Sequence, residues 1–222
     1  MKTPAIDYRK VRLNNLNTPE FAHLKLLLGW VGYITLYFLT ENLIPADRCR
    51  TVHCWLDDVV PFCEWFIIPY VGWYALVFLS LGYFFFYDTE DFSDLSKYII
   101  VTQVVAMACY IIFPTRQDLR PEEFANENVL TAICAFLYSF DTNTGVCPSL
   151  HVVGSVAVWL TSCRVSRFQT SGWKFAFGVA AILICLSTMF LKQHSVLDVL
   201  AAIPICFVAY TFSFRRSPHV RR

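Results

Sequence analysis

Charge is the first thing this chain has little of. Only 16% of its 222 residues are Asp, Glu, Lys or Arg, and the formal net charge is +1. So near-neutral a balance excludes a broadly basic nucleic-acid binder. The nine cysteines contain no Cys-x-x-Cys pair and no zinc-type spacing, which excludes a zinc module. Internal repeats and low-complexity tracts are missing as well, so one domain is expected. No acidic cluster is built for a metal ion. A cleavable signal peptide is not apparent: the first apolar run follows about 20 mixed residues and has no small-x-small exit, so it is expected to be a retained span.

Apolar residues are abundant. The chain is 56% hydrophobic and 17% aromatic, with a mean hydropathy of +0.49. A soluble domain of this size has too little interior for that much apolar surface, so lipid must cover part of it. Cys109, Cys163, Cys185 and Cys206 fall in apolar runs and read as small buried hydrophobes. Cys49 and Cys54 share a polar loop, and two readings stay open: a disulfide in an oxidising compartment, or two free thiols.

A spanning helix needs about 20 apolar residues. Leu24–Ile44, Pro69–Tyr87, Tyr98–Phe113, Trp173–Leu191 and Val196–Phe214 qualify, the third being short enough to require tilt or bilayer thinning. A sixth, His151–Phe168, is apolar up to Cys163, with Arg164 and Arg167 snorkelling at its end. Pro204 should kink the last span. The stretch Leu56–Phe66 mixes Asp57, Asp58 and Glu64 with aromatic residues and reads as an interfacial helix. The expected fold is therefore all-α: a polytopic membrane protein with a six-helix transmembrane bundle and an interfacial helix. Residues 1–21 would form a cytoplasmic N-terminal segment, 22–214 the membrane domain and 215–222 a basic cytoplasmic tail.

Six spans put both termini on one side. Thirteen of the 18 Lys and Arg residues then share that side, and only Arg48, Arg50, Arg116, Arg120 and Lys192 lie opposite. The positive-inside rule makes the terminal side cytoplasmic. The short loops fit a bacterial plasma membrane. Three segments meet at the outer face: Phe113–Pro121 after the third span, Pro148–His151 before the fourth, and Lys192–Asp198 between the fifth and sixth.

Those segments carry the reactive side chains. His194 and Asp198 lie four apart at a helix start and share a face, so the carboxylate can take the Nδ1 proton and leave Nε2 as a nucleophile. The alternative is a surface histidine with a dipole-favoured aspartate. Pro148-Ser149-Leu150-His151 reads as a helix opening whose free N–H groups attract phosphate, with His151 placed to protonate a departing oxygen. The alternative there is a capped span with an incidental histidine. Cys147 has no local base and reads as structural. Arg116 and Arg120 are candidate phosphate binders or ordinary membrane-flanking charges, and Lys192 sits two residues before His194.

These three segments, in this order, resemble the signature motifs of the type 2 phosphatidic acid phosphatase superfamily. Arg120-Pro121 matches the end of the first motif, whose lysine seven positions earlier would fall at Phe113; Arg116 is the substitute. Pro148, Ser149 and His151 match Pro-Ser-Gly-His, with Leu150 replacing glycine. Ser187, His194 and Asp198 match Ser-Arg-x5-His-x3-Asp, with Thr188 in the arginine position and Lys192 as its substitute. The resemblance covers residues 98–210, is strongest to a bacterial branch, and extends to inositol phosphorylceramide synthases. It implies a metal-independent phosphatase without cofactor, acting on a lipid phosphate or isoprenyl diphosphate through a phosphohistidine. His194 would be the nucleophile, Asp198 its orienting partner and His151 the acid and then the base. Arg116, Arg120, Lys192 and Ser149 would hold the phosphoryl oxygens on the extracytoplasmic face. Membrane lipids are the expected partners, and no nucleic acid is. A head-group phosphotransferase with an alcohol acceptor would use the same site. A non-catalytic relative or small transporter is the third reading, against which stands the clustering of ionisable residues at one face.

Overall fold

A computed structural model of the protein describes residues 4–214; the expected basic tail, 215–222, lies outside the described residues. Eight α-helices form there: α1 (Leu26–Leu43), α2 (Trp55–Val59), α3 (Ile67–Tyr87), α4 (Thr89–Ile112), α5 (Val129–Phe140), α6 (Leu150–Ser162), α7 (Ser171–Phe190) and α8 (Val196–Ser213). Two short strands, β1 (Arg50–Thr51) and β2 (Thr115–Arg116), pair in parallel. With the turns that lead into them, five helices are long and apolar enough to cross a membrane: Ala22–Leu43, Glu64–Tyr87, Thr89–Ile112, Ser171–Phe190 and Val196–Ser213. Leu28, Phe38, Phe78, Leu79, Phe175 and Phe207 all point outward from these helices. So much exposed apolar surface on long helices is what lipid covers, and the architecture is that of an all-α membrane protein.

Six helices alternate in direction. At one end, β1–β2 pairing joins the ends of α1 and α4. There also the Cys63 N–H donates to Phe190 O (3.0 Å) and the Ser149 N–H to Asp198 O (3.1 Å), joining α3 to α7 and α6 to α8. At the other end the Ala5 N–H donates to Phe86 O (2.7 Å), and the Arg164 guanidinium lies 4.8 Å over the Phe214 ring. The first end gathers all three reactive segments.

α6 is the innermost element. Nine of its 13 residues are buried, against Thr40 alone in α1. α6 packs on α3, α4, α7 and α8, and Val152, Val153, Ala157 and Val158 share a core cluster with Phe84, Leu95, Tyr98 and Ala202. Thirteen residues rise only about 20 Å, less than the ~30 Å hydrocarbon core. α6 stops at Ser162, and a 3-10 turn at Ser166–Phe168 follows in place of the longer helix expected.

Three other expectations change. The third long helix is not short: it starts at Thr89 and has 24 residues. Asp88 caps it by accepting the Asp91 N–H (3.2 Å), and Glu90 and Asp91 in the first turn favour the positive end of the helix dipole. The interfacial helix over Leu56–Phe66 is divided. α2 ends at Val59 because Pro61 has no N–H to give and pushes Val60 into an extended conformation. Glu64–Phe66 instead turns directly into α3. A helix absent from the sequence reading, α5, occupies the loop after β2. Asn128 opens it by accepting the Leu130 and Thr131 N–H groups, while Thr131 Oγ1 accepts from the Asn128 N–H. Pro204 lies inside α8, the position at which a kink is expected.

Candidate active site

The α7–α8 turn builds one wall. Lys192 takes a left-handed conformation (φ 54°) at the end of α7, so the chain reverses, and the N–H groups of Gln193 and His194 both donate to Thr188 O (3.0 Å each). Ser195 caps α8 by accepting the Leu197 N–H, and Asp198 Oδ2 reaches back to the Ser195 N–H (2.9 Å). The same oxygen lies 3.2 Å from His194 Nδ1. A carboxylate only accepts, so Nδ1 carries the proton and Nε2 keeps its lone pair.

The start of α6 builds the facing wall. Tyr110 donates to Pro148 O (2.6 Å), and the ring of His151 is boxed by aromatic residues of α3. Tyr70 stacks on it at 4.2 Å between centroids, Trp73 lies at 4.5 Å, and Tyr74 meets it edge-on at 6.2 Å. Gly154, one turn along, makes room for this box: a Cβ there would fall 2.9 Å from the Trp73 indole. The His151 and His194 rings meet edge-on, 6.2 Å between centroids and 61° between planes. His151 is 8% exposed, and its Nε2 has no hydrogen-bond partner.

The remaining contacts close a ring around that space. From His194 the chain passes to Gln193, whose Oε1 accepts from Arg120 Nη2. Arg120 also donates to the main-chain oxygens of Tyr138, Asp141 and Thr142, which end α5, and lies 4.7 Å over the Tyr138 ring. The Asp141 carboxylate accepts from Tyr70 OH (3.4 Å), and Tyr70 returns to His151. Burial holds the Asp141 carboxyl above the usual carboxylate range, against the opposing pull of Arg120 and His194. Around the ring, Ser149 Oγ, Arg120 Nε, Gln193 Nε2 and Asp198 Oδ1 are buried and without partners. Buried polar atoms are nearly always paired, so their concentration at one place marks a candidate binding site.

Of the residues picked out from sequence, His151, His194, Asp198, Ser149 and Arg120 therefore come together. The two substitute cations have partners elsewhere. Lys192 Nζ donates to Asp57 O (2.6 Å) and Val60 O, capping the end of α2. Arg116 pairs with Asp118 (3.2 Å) and donates to Thr51 Oγ1 and Ala46 O beside β1. Sequence reasoning missed Gln193, Asp141 and Asp57. The first two carried no motif signal of their own. Asp57 looked like one of several interfacial acids, yet its carboxylate accepts from Ser195 Oγ (2.6 Å), the Val196 N–H (2.8 Å) and the Cys54 N–H (2.8 Å). All nine cysteines are free, so Cys49 and Cys54 are not bridged. Burial pushes the Cys147 thiol up to about 12, with Asp198 adding to the shift, which suits a structural role. Among the described residues, no group of three or more His, Cys, Asp or Glu side chains could hold a metal ion. Comparison of the chain with protein-family models, curated proteins and solved structures finds no match.

Proposed function

We propose that the protein is an integral membrane phosphatase of the type 2 phosphatidic acid phosphatase kind, acting on a lipid phosphate or isoprenyl diphosphate through a phosphohistidine. The observation that carries this reading is the pair of neighbouring imidazoles, one held by Asp198 with a free Nε2 and the other buried with an unpartnered Nε2. The two rings are close enough, 6.2 Å between centroids, to act on one bound group. His194 Nε2 attacks phosphorus, a P–N bond forms and the P–O bond to the lipid breaks. His151 gives its proton to the departing oxygen. Water then enters, His151 takes a proton from it, and the hydroxide oxygen displaces His194 from phosphorus, releasing phosphate and restoring both histidines. Asp198 steadies the charge on His194 while the P–N bond exists.

In the same reading α1, α3, α4, α6, α7 and α8 cross the bilayer. α6 is short, but its neighbours in the bundle surround it, so protein rather than lipid covers its ends. The described cations at the end opposite the site include Arg9, Lys10, Arg12, Lys25, Arg164, Arg167 and Lys174. That end is therefore cytoplasmic, and the site is extracytoplasmic, in a membrane such as the bacterial plasma membrane.

The test is phosphate release in detergent from phosphatidic acid, phosphatidylglycerol phosphate, undecaprenyl diphosphate and sphingolipid phosphates. His194→Ala and His151→Ala should each lose at least ~100-fold with retained melting temperature. Wild-type rates in both variants would overturn the mechanism. A phosphodiester product in place of free phosphate would make the enzyme a transferase.

A further inference from the structure

Gln193 sits beside the proposed nucleophile and is 3% exposed. Its two amide ends are chemically distinct. A guanidinium has donors only, so the end facing Arg120 Nη2 must be the carbonyl, Oε1. That fixes the amide: Nε2, with two N–H donors, faces away from Arg120 and has no partner. Leaving such a group buried and unpaired is costly, an arrangement expected where a ligand completes it.

Three further facts say what the ligand is. The other orphaned atoms of the ring include two donors, Ser149 Oγ and Arg120 Nε. With Gln193 Nε2 these donors outnumber the orphaned carboxylate oxygen of the ring, Asp198 Oδ1, which suits an oxygen-rich anion. The cations nearest in sequence are unavailable, since Lys192 Nζ caps α2 and Arg116 is paired with Asp118. Thr188, where the resemblance expects arginine, turns its hydroxyl to Cys185 O (2.8 Å) and its carbonyl to the N–H groups of Gln193 and His194. It presents no donor to the site.

We propose that Gln193 is a phosphate-binding residue, its Nε2 donating to the oxygens of the phosphoryl group beside His194 and its orientation set by Arg120. The proposal rests on the phosphatase reading and deepens it: the anion is held mainly by neutral donors, with Arg120 acting through Gln193 as well as through Nε.

Gln193→Glu separates binding from support. Its carboxylate keeps the link to Arg120 and strengthens it, so the fold survives, but an oxygen replaces the N–H donors in front of the anion. Melting temperature in detergent should equal or exceed wild type, while kcat/KM for phosphate release falls at least ~100-fold, the usual effect of losing one oxyanion donor. The concentration of orthovanadate giving half-inhibition should rise at least tenfold, measured against residual activity. Gln193→Met, uncharged and of similar size, should lose about tenfold with a KM rise. Wild-type kcat/KM and vanadate sensitivity in Gln193→Glu would overturn the proposal, as would a loss of activity matched by loss of folding in both variants. Failure of the underlying reading looks different: wild-type release would then be unaffected by His194→Ala.

Discussion

Asp57 offers the sharpest test of how the site is held. Its carboxylate is 3% exposed and accepts three hydrogen bonds, two from main-chain N–H groups and one from Ser195 Oγ. Replacing it with alanine leaves the part-buried Cys54 and Val196 N–H groups without acceptors, at about 1–2 kcal/mol each, the lower part of the range for a buried group. Loss of the hydrogen bond from Ser195 Oγ adds about 1 kcal/mol. Asp57→Ala should therefore cost on the order of 3–5 kcal/mol and lower the melting temperature by roughly 10 °C. The pH dependence has a definite sign. Burial favours the neutral acid, but the hydrogen bonds from Ser195, Val196 and Cys54 outweigh it and hold the carboxyl below the usual range. A depressed carboxylate stabilises the fold above its unfolded value, and that contribution is lost as the pH falls through the folded value. The gap between wild type and Asp57→Ala should be full at pH 7 and close below about pH 4. Tryptophan-detected thermal unfolding in detergent across that range measures it. A variant that melts within 2 °C of wild type at neutral pH (on the order of 1 kcal/mol at this size) would refute the clamp.

The other predictions concern the same end of the bundle. Lys192→Gly should be about 1 kcal/mol more stable than Lys192→Ala, because only glycine is at ease at φ 54°, and both should fall below wild type through loss of the α2 cap; paired melting curves decide this. Asp141→Asn should melt above wild type at pH 8, because burial raises the carboxyl and the ionised form is the one the fold resists. The advantage should shrink as the pH falls through the folded value into the carboxylate range, as a melting series would show. Gly154→Val should cost about 1–3 kcal/mol and depress phosphate release by driving Trp73 against His151, whereas Gly172→Ala, with nothing within 4 Å, should change neither.

Hydropathy located the long helices well because each is a continuous apolar run, and period hardly matters where lipid faces most of the surface. It failed at α4, where Thr89–Lys97 is polar enough to end an apolar window yet is helical because its acids suit a first turn. It failed again at α5, whose signal is a capping box rather than a long run. The division of Leu56–Phe66 is legible in the sequence at Pro61, which ends a helix that charge and aromatic pattern alone would continue. For the site, pairs close in sequence were readable. His194 and Asp198 share a helix face, and local spacing alone brings them together. Gln193, Asp141 and Tyr70 belong to the site through contacts between distant segments, which no spacing rule reports.

The five cations at the site end show why charge counts overreach. A cation on the outer side of a membrane protein breaks a statistical rule, and so invites a reading as a ligand contact. Lys192 and Arg120, at the site end of the bundle, have a second physical role. Helices that end at a membrane surface leave carbonyl groups without partners, and a long cationic side chain is among the few groups that can satisfy several at once. Lys192 does this for α2, and Arg120 does it for α5 through three carbonyls. Their charges thus fix the two short helices that frame the histidines. The buried, unpartnered atoms around the histidines that could meet an anion are Arg120 Nε and two neutral donors, Gln193 Nε2 and Ser149 Oγ. Neutral donors repel cations less and bind anions less tightly in water. In a buried site the difference narrows, because each hydrogen bond there strengthens with the low dielectric, and a preorganised donor costs no rearrangement when the phosphoryl charge shifts.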